Sequence, residues 1–328
     1  MKALILENSN TPYQLKDINK PAAGKGQVLV KIRASGVNPL DLKIKAGLAA
    51  HAQVKLPAIL GIDMAGVVEM VGDGVTAFKP GDEVYGMTGG VGGVQGSLAE
   101  YAAVDADLLA IKPKNLGMCK AAALPLIFIT AWEGLVDRAD VSAGKTVLIH
   151  GGAGGVGHIA IQIAKAKGAI VFSTVDPSKN ELIKSYGATP IDYTTLTVEE
   201  YIQKYTGGEG FDIVFDTIGG ATLDASFKAA KQYYGHVVSI LGWGTHSLAP
   251  LSFRGATYSG VFTLYPLIFG KGHAHHGEIL SEAAKLAESG KLIPLINPHS
   301  YTPATIEQAY SDMEQGKAKG KVVIDIGF

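Results

Sequence analysis

The run His150-Gly151-Gly152-Ala153-Gly154-Gly155-Val156-Gly157 constrains this chain more than any other segment. It stands between a buried-looking strand, Thr146–His150, and a helix with apolar residues at helical spacing, Gly155–Lys167. Gly152, Gly154 and Gly157 have the spacing G-x-G-x-x-G. Alone that pattern is weak; between a strand and a helix it becomes specific. One glycine permits a tight turn, one lets the backbone approach a diphosphate, and one lets helix pack on strand. Free N–H groups at the helix N-terminus then face the anion. The expectation is a dinucleotide cradled by Gly152, Ala153, Gly154, Gly155, Val156 and Gly157. The plainer reading, a glycine-rich connection, fits the flanking elements less well.

The surrounding pattern agrees. Ala169–Thr174, Phe211–Asp216 and Val237–Leu241 read as strands; Ser178–Tyr186, Val198–Tyr205 and Leu223–Gln232 read as helices. Alternation of this kind predicts a parallel sheet with helices on both faces. Residues 1–119 read differently. Ala3–Leu6, Gln27–Ala34, Gly66–Val71, Glu83–Tyr85 and Leu98–Val104 are short strand-like runs, punctuated by turns at Val71-Gly72-Asp73-Gly74 and Pro80-Gly81-Asp82. They predict a compact barrel or sandwich. Cys119–Asp137 reads as a mostly apolar helix. Beyond residue 264 come two helices, Glu278–Ser289 and Thr305–Gln315, and a closing strand, Lys321–Ile326. That lone strand has little to pair with unless it rejoins the first domain. The division expected is therefore 1–119 and 265–328 around a Rossmann insert at 120–264, within the two-domain prior for 328 residues.

Bulk chemistry narrows the function. Hydrophobic residues make up 47 % and charged residues 18 %, a globular balance. A net charge of −1 gives no global pull toward nucleic acid or anionic membranes. The one cysteine, Cys119, excludes an internal disulfide and a cysteine-rich zinc site. The opening MKALILENSN lacks the apolar core of a secretory signal, and no apolar run reaches a membrane span, so a cytoplasmic location is the default expectation. His273, His275 and His276 have no adjacent cysteine or paired carboxylates; they read as a polar loop leading into the helix near Glu278, not as a metal site.

Asp176 follows Gly157 by about 20 residues, where an acidic side chain commonly receives the adenosine ribose. Its charge favours NADH over NADPH. Ser178 and Lys179 point the other way, as a hydroxyl and a cation able to hold a 2′-phosphate. Asp176 before Pro177 also reads as a helix cap.

Several motifs in order resemble the medium-chain dehydrogenase/reductase superfamily, in its zinc-independent quinone oxidoreductase branch. They are residues 34–41 (ASGVNPLD), 57–66 (PAILGIDMAG) and 81–84 (GDEV), the loop at 153–157, residues 215–220 (FDTIGG) and the terminal 320–323 (GKVV). The resemblance covers nearly the whole chain. It implies a GroES-like catalytic domain built from both chain ends, with the Rossmann domain inserted, and a homodimer. Zinc-dependent relatives carry Cys where Asn38 stands and His where Ile62 stands. Asp63 remains as an acidic neighbour, but Asn38 and Ile62 cannot replace thiolate and imidazole. The relatives' cysteine lobe is replaced by residues 89–96 (GGVGGVQG). The resemblance thus implies a nicotinamide enzyme without zinc.

Without a Lewis acid, an alcohol is a poor substrate. A quinone or α,β-unsaturated carbonyl is better, because the negative charge left by hydride delocalises and hydrogen-bond donors can hold it. The resemblance places Asn38 beside the nicotinamide, as a donor; its plain reading is a turn opening a short helix. Asp41 occupies a familiar acidic position that orders the same loop, or serves as a first-turn carboxylate. Thr130 matches a threonine near the nicotinamide, and Tyr193 a tyrosine at the adenosine end. Thr217, Ile218 and Gly219 follow a strand end; Leu241, Gly242, Phe262 and Thr263 match further cofactor contacts. Lys321 is expected at a cofactor phosphate or ribose, or as a solvated charge. Tyr85, Trp243 and Tyr265 could line an aromatic cleft for a planar acceptor. The cofactor expected is NADPH, with NADH open because of Asp176. The alternatives are an enoyl-thioester reductase on the same fold and a non-catalytic dinucleotide-binding protein. A zinc alcohol dehydrogenase conflicts with Asn38 and Ile62.

Overall fold

The structure, a computed structural model, describes residues 1–328. The chain forms two compact units: Met1–Ile129 with Leu264–Phe328, and Thr130–Thr263. In the first, β1 (Lys2–Ile5) and β2 (Gln14–Asp17) form an antiparallel pair. Then come β3 (Gln27–Gly36), α1 (Pro39–Lys45), β4 (Asp63–Val71), β5 (Glu83–Met87), β6 (Tyr101–Asp105), β7 (Leu109–Ile111) and α2 (Met118–Ala122). The ten-residue β3 is the spine, pairing antiparallel with both β4 and β6. Its pairing with β4 shifts register between Leu29 and Val30 and again between Ile32 and Ala34. Such irregularities bend and twist a strand. The register ends with Gly36 opposite Asp63.

The chain then enters α3 (Pro125–Trp132). The apolar run at 119–137 is not one helix: Pro125 lacks an N–H and separates α2 from α3, and residues 133–138 continue as a π-helical stretch. In the second unit, β8 (Thr146–His150), α4 (Gly155–Ala166), β9 (Ile170–Val175), α5 (Asn180–Ser185), β10 (Thr189–Asp192), α6 (Val198–Thr206), β11 (Ile213–Asp216), α7 (Ala221–Ala229), β12 (His236–Ser239), α8 (Ala249–Phe253) and β13 (Thr257–Gly260) alternate. The sheet runs β10-β9-β8-β11-β12-β13, all parallel. Counted in chain order this is 3-2-1-4-5-6, the doubly wound Rossmann arrangement. Phe172, Phe211, Val214, Val237 and Phe227 lie in its core.

Back in the first unit, α9 (Tyr265–Phe269), α10 (His273–Glu288), α11 (Ile306–Glu314) and β14 (Val323–Asp325) complete the chain. β14 pairs antiparallel with β3, with Val323 opposite Gly36. The histidine segment is not a loop. His273 begins α10, and its ring meets Asp105 Oδ2 at 2.8 Å and the Pro266 carbonyl at 2.9 Å, an anchoring role. No helix is long and apolar enough to cross a membrane.

Candidate active site

The register just described brings three distant positions together. Asn38 leaves the end of β3, Asp63 opens β4 opposite Gly36, and Lys321 precedes β14. All three are buried, with Asn38 1 % and Asp63 0 % exposed. Asn38 Nδ2 donates to Asp63 Oδ2 at 3.0 Å, and Lys321 Nζ donates to Asn38 Oδ1 and, at 3.2 Å, to Asp63 Oδ2. The other Asp63 oxygen accepts from the Leu126 N–H at 2.8 Å, one of the free donors of the first turn of α3. Burial pushes the Asp63 carboxyl up, opposed by Lys321, Asn38 and Leu126. A side chain at Gly36 is impossible: its Cβ would lie 2.3 Å from the Ala122 carbonyl oxygen and 3.0 Å from Asp63 Cβ.

Asp41 is fully buried in α1. Its Oδ2 accepts from the Asn38 N–H at 2.8 Å, closing the turn, while Oδ1 has no partner. Burial pushes this carboxyl up to about 7, against the Asn38 N–H and the Lys321 charge and in concert with Asp63. The helix-cap and loop-ordering readings of Asn38 and Asp41 are one arrangement.

Lys321 does not stand free as a solvated charge. Its ammonium is buried and donates within the first unit to Asn38 and Asp63. Tyr85 is corrected too. It is 0 % exposed, and its hydroxyl donates to the Leu280 carbonyl at 2.6 Å, so it is core and not a cleft wall. Tyr265 is exposed, with its ring 4.7 Å from that of Phe269.

In the second unit, the glycine loop follows β8 and leads into α4, with Gly154 as N-cap. Close approach is obligatory here. A Cβ at Gly152 would lie 2.0 Å from Ser173 Oγ, and one at Gly157 would lie 2.2 Å from the Gly151 carbonyl oxygen. Gly151 takes the left-handed conformation, φ 74°, so the tight turn falls one residue before the G-x-G-x-x-G match. A glycine cradle at the N-terminus of a 12-residue helix fits a dinucleotide diphosphate. Ala153, Gly155 and Val156 lie within it.

The loop faces the end of β11, whose Asp216 is level with His150. Thr217 Oγ1 donates to the His150 carbonyl at 2.7 Å. Asp216 accepts from the N–H groups of Ile218 and Gly219, both at 3.0 Å, and from Ser239 Oγ at 2.7 Å. Ser239 Oγ in turn accepts from the Leu241 N–H at 3.1 Å. One buried carboxylate therefore fixes the two strand-end loops that carry Thr217, Ile218, Gly219, Leu241 and Gly242. Sequence reasoning passed over Asp216, although it ends an apolar strand before a glycine turn. The His150 ring sits under the loop, its Nδ1 2.9 Å from Thr174 Oγ1, and burial pulls it down to about 4.

At the end of β9, Asp176 Oδ1 accepts from the Ser178 N–H at 2.9 Å, and the carboxyl is held down by the Ser178 hydroxyl and by that N–H. Asp176 is thus a cap. Ser178, Lys179 and Tyr193 are exposed near the ends of β9 and β10, and Trp243 is exposed after β12. Thr130 is buried in α3; Thr263 is buried and donates to Glu133 Oε2 at 2.8 Å, and Phe262 precedes it half-buried. No group of three or more His, Cys, Asp or Glu side chains could hold a metal ion.

Two family models match. Residues 24–114 match the alcohol dehydrogenase GroES-like domain, and residues 186–324 match a zinc-binding dehydrogenase domain. The chain is 40 % identical to 2-methylene-furan-3-one reductase of Solanum lycopersicum, over 96 % of this chain and 78 % of that one. It is 39 % identical to the chloroplastic NADPH-dependent alkenal/one oxidoreductase of Arabidopsis thaliana, over 93 % and 73 %. Its fold matches an alcohol dehydrogenase superfamily protein from Novosphingobium aromaticivorans with TM-score 0.97 and 55 % identity, over 100 % of both chains.

Proposed function

The chain belongs to the medium-chain dehydrogenase/reductase superfamily, with its quinone and alkenal oxidoreductases, and from that premise we propose that it reduces quinones or α,β-unsaturated carbonyls with NADPH and without zinc. The observation that carries the reading is the donor set at Asn38. Where zinc relatives present a thiolate, this chain presents an amide hydrogen-bonded into a buried network, beside a carboxylate and an ammonium. An amide is no Lewis acid, but it is a hydrogen-bond donor for an oxygen that gains negative charge.

Gly152, Ala153, Gly154, Gly155, Val156 and Gly157 would hold the diphosphate on backbone N–H groups. Thr130, Thr217, Ile218, Gly219, Leu241, Gly242, Phe262 and Thr263 would flank the rest of the dinucleotide, and Tyr193 its adenosine end. When bound, the reduced nicotinamide supplies the hydride. Asn38 Nδ2 donates to the acceptor oxygen as charge grows there, and Asp41 holds the turn that aims it. Trp243 and Tyr265 offer faces to a planar acceptor. Ser178 and Lys179 would take the 2′-phosphate of NADPH, against the charge of Asp176, whose carboxylate caps the turn through the Ser178 N–H. The protein is proposed to act as a cytoplasmic homodimer.

Turnover of a simple enone by Asn38→Ala tests the reading. Loss of one preorganised donor should lower kcat by about 100-fold while dinucleotide affinity stays close to that of the native protein. An unchanged kcat would remove Asn38 from the chemistry. Lys179→Ala should raise KM for NADPH and leave KM for NADH unmoved.

A further inference from the structure

An amide side chain can present its oxygen or its nitrogen to a given neighbour, and rotation by 180° exchanges them. At Asn38 the neighbours leave no choice. Ammonium groups only donate and carboxylates only accept. Lys321 therefore takes Oδ1, and Asp63 takes one hydrogen of Nδ2. The reverse orientation would set Nδ2 against the ammonium and Oδ1 against the carboxylate. Both charged side chains are buried, 5 % and 0 % exposed, so water cannot relieve that mismatch. The second Nδ2 hydrogen has no acceptor among the contacts Asn38 makes.

We propose that Asp63 and Lys321 are positioning residues for the reduction: they lock the sense of the Asn38 amide and polarise it, so that its remaining Nδ2 hydrogen is a fixed and strengthened donor to the acceptor oxygen. This rests on the reading of Asn38 as that donor. A cation on the amide oxygen draws electron density from the nitrogen, and linked hydrogen bonds polarise one another in a low-dielectric interior. The bracket is itself held rigidly. Asp63 is tied at its other oxygen to the Leu126 N–H, and its backbone carbonyl accepts from Ser97 Oγ at 2.9 Å. Lys321 is pinned through its own N–H to the Leu295 carbonyl at 2.8 Å and through its carbonyl to the Asn297 N–H at 2.9 Å. The two chain ends thus meet at one amide, Asn38 and Lys321 lying 283 positions apart. A buried ion pair is weak evidence for stability, since apolar replacement often costs nothing. A role in aiming a donor gives the pair a function that stability does not.

The test is a mutant cycle in the full-length protein, read as kcat and KM for an enone and as NADPH affinity by fluorescence titration. Asp63→Asn and Lys321→Met should each lower kcat by about tenfold or more, with NADPH affinity changed by less than about twofold. In an Asn38→Ala background the same changes should cost less than about twofold, because nothing remains to be aimed. An equal loss in both backgrounds overturns the proposal, as does a Lys321→Met variant that weakens only NADPH binding. Should Lys321→Met not fold, Lys321→Arg carries the same comparison, since it keeps the charge but moves its donors. The two readings fail separately. Normal turnover by Asn38→Ala removes the donor itself. An impaired Asn38→Ala beside normal Asp63→Asn and Lys321 variants removes only the positioning.

Discussion

Asp41 is the residue whose surroundings make the sharpest demand. It is buried, faces Asp63 and the Tyr13–Tyr310 hydroxyl pair, and is offset by the Asn38 N–H, the Lys321 charge and the Gly61 backbone. Its carboxyl titrates at about 7 in the fold against 3.8 as the reference value. Between those values the native state holds the extra proton. The contribution to stability is therefore fully present below pH 3.8 and is lost as pH rises through about 7. Asp41→Asn, which cannot ionise, should flatten the fall in melting temperature between pH 3.8 and about 7; an unchanged fall would show that Asp41 is not its source. Tyr85 makes a simpler demand. Tyr85→Phe removes the hydroxyl that donates to the Leu280 carbonyl and should cost about 1 kcal/mol of stability. Turnover should not change, and a raised KM for the acceptor would restore Tyr85 to the substrate site.

Among the elements, the strand-loop-helix unit around Gly152 is the one whose sequence pattern and geometry agree most closely. Gly152→Ala drives a methyl into Ser173 Oγ, so dinucleotide affinity should fall by about 100-fold or more while the first unit keeps its fold. Affinity within about threefold of native would mean that the loop is not the diphosphate site. The motif was legible because its glycines obey a spacing. The short strands were not. β2 has four exposed residues and no alternation, and β10 carries Pro190, which an edge strand tolerates. α10 starts five residues before the expected Glu278, since its first turn is held by the His273 contacts, which lie far away in sequence. Pro125 was visible as a helix breaker but sat within an unbroken apolar run. Asp63 and Lys321 could not be read as partners, because only the β3–β4 and β3–β14 registers bring them together.

At the scale of the molecule, strand order and chain reentry define the architecture. A sheet in 3-2-1-4-5-6 order is interrupted by no foreign strand, and the last strand returns to β3 in the other unit. On the function proposed above, this architecture serves metal-independent reduction of a conjugated carbonyl or quinone. The most direct measurement is oxidation of NADPH and NADH, side by side, by chelator-treated full-length protein, with an ortho-quinone, a simple enone and an aldehyde as acceptors. Turnover of the enone or the quinone is expected, undiminished by the chelator, faster with NADPH, with the aldehyde inert. Activity confined to the aldehyde, or restored only by added zinc, would contradict it.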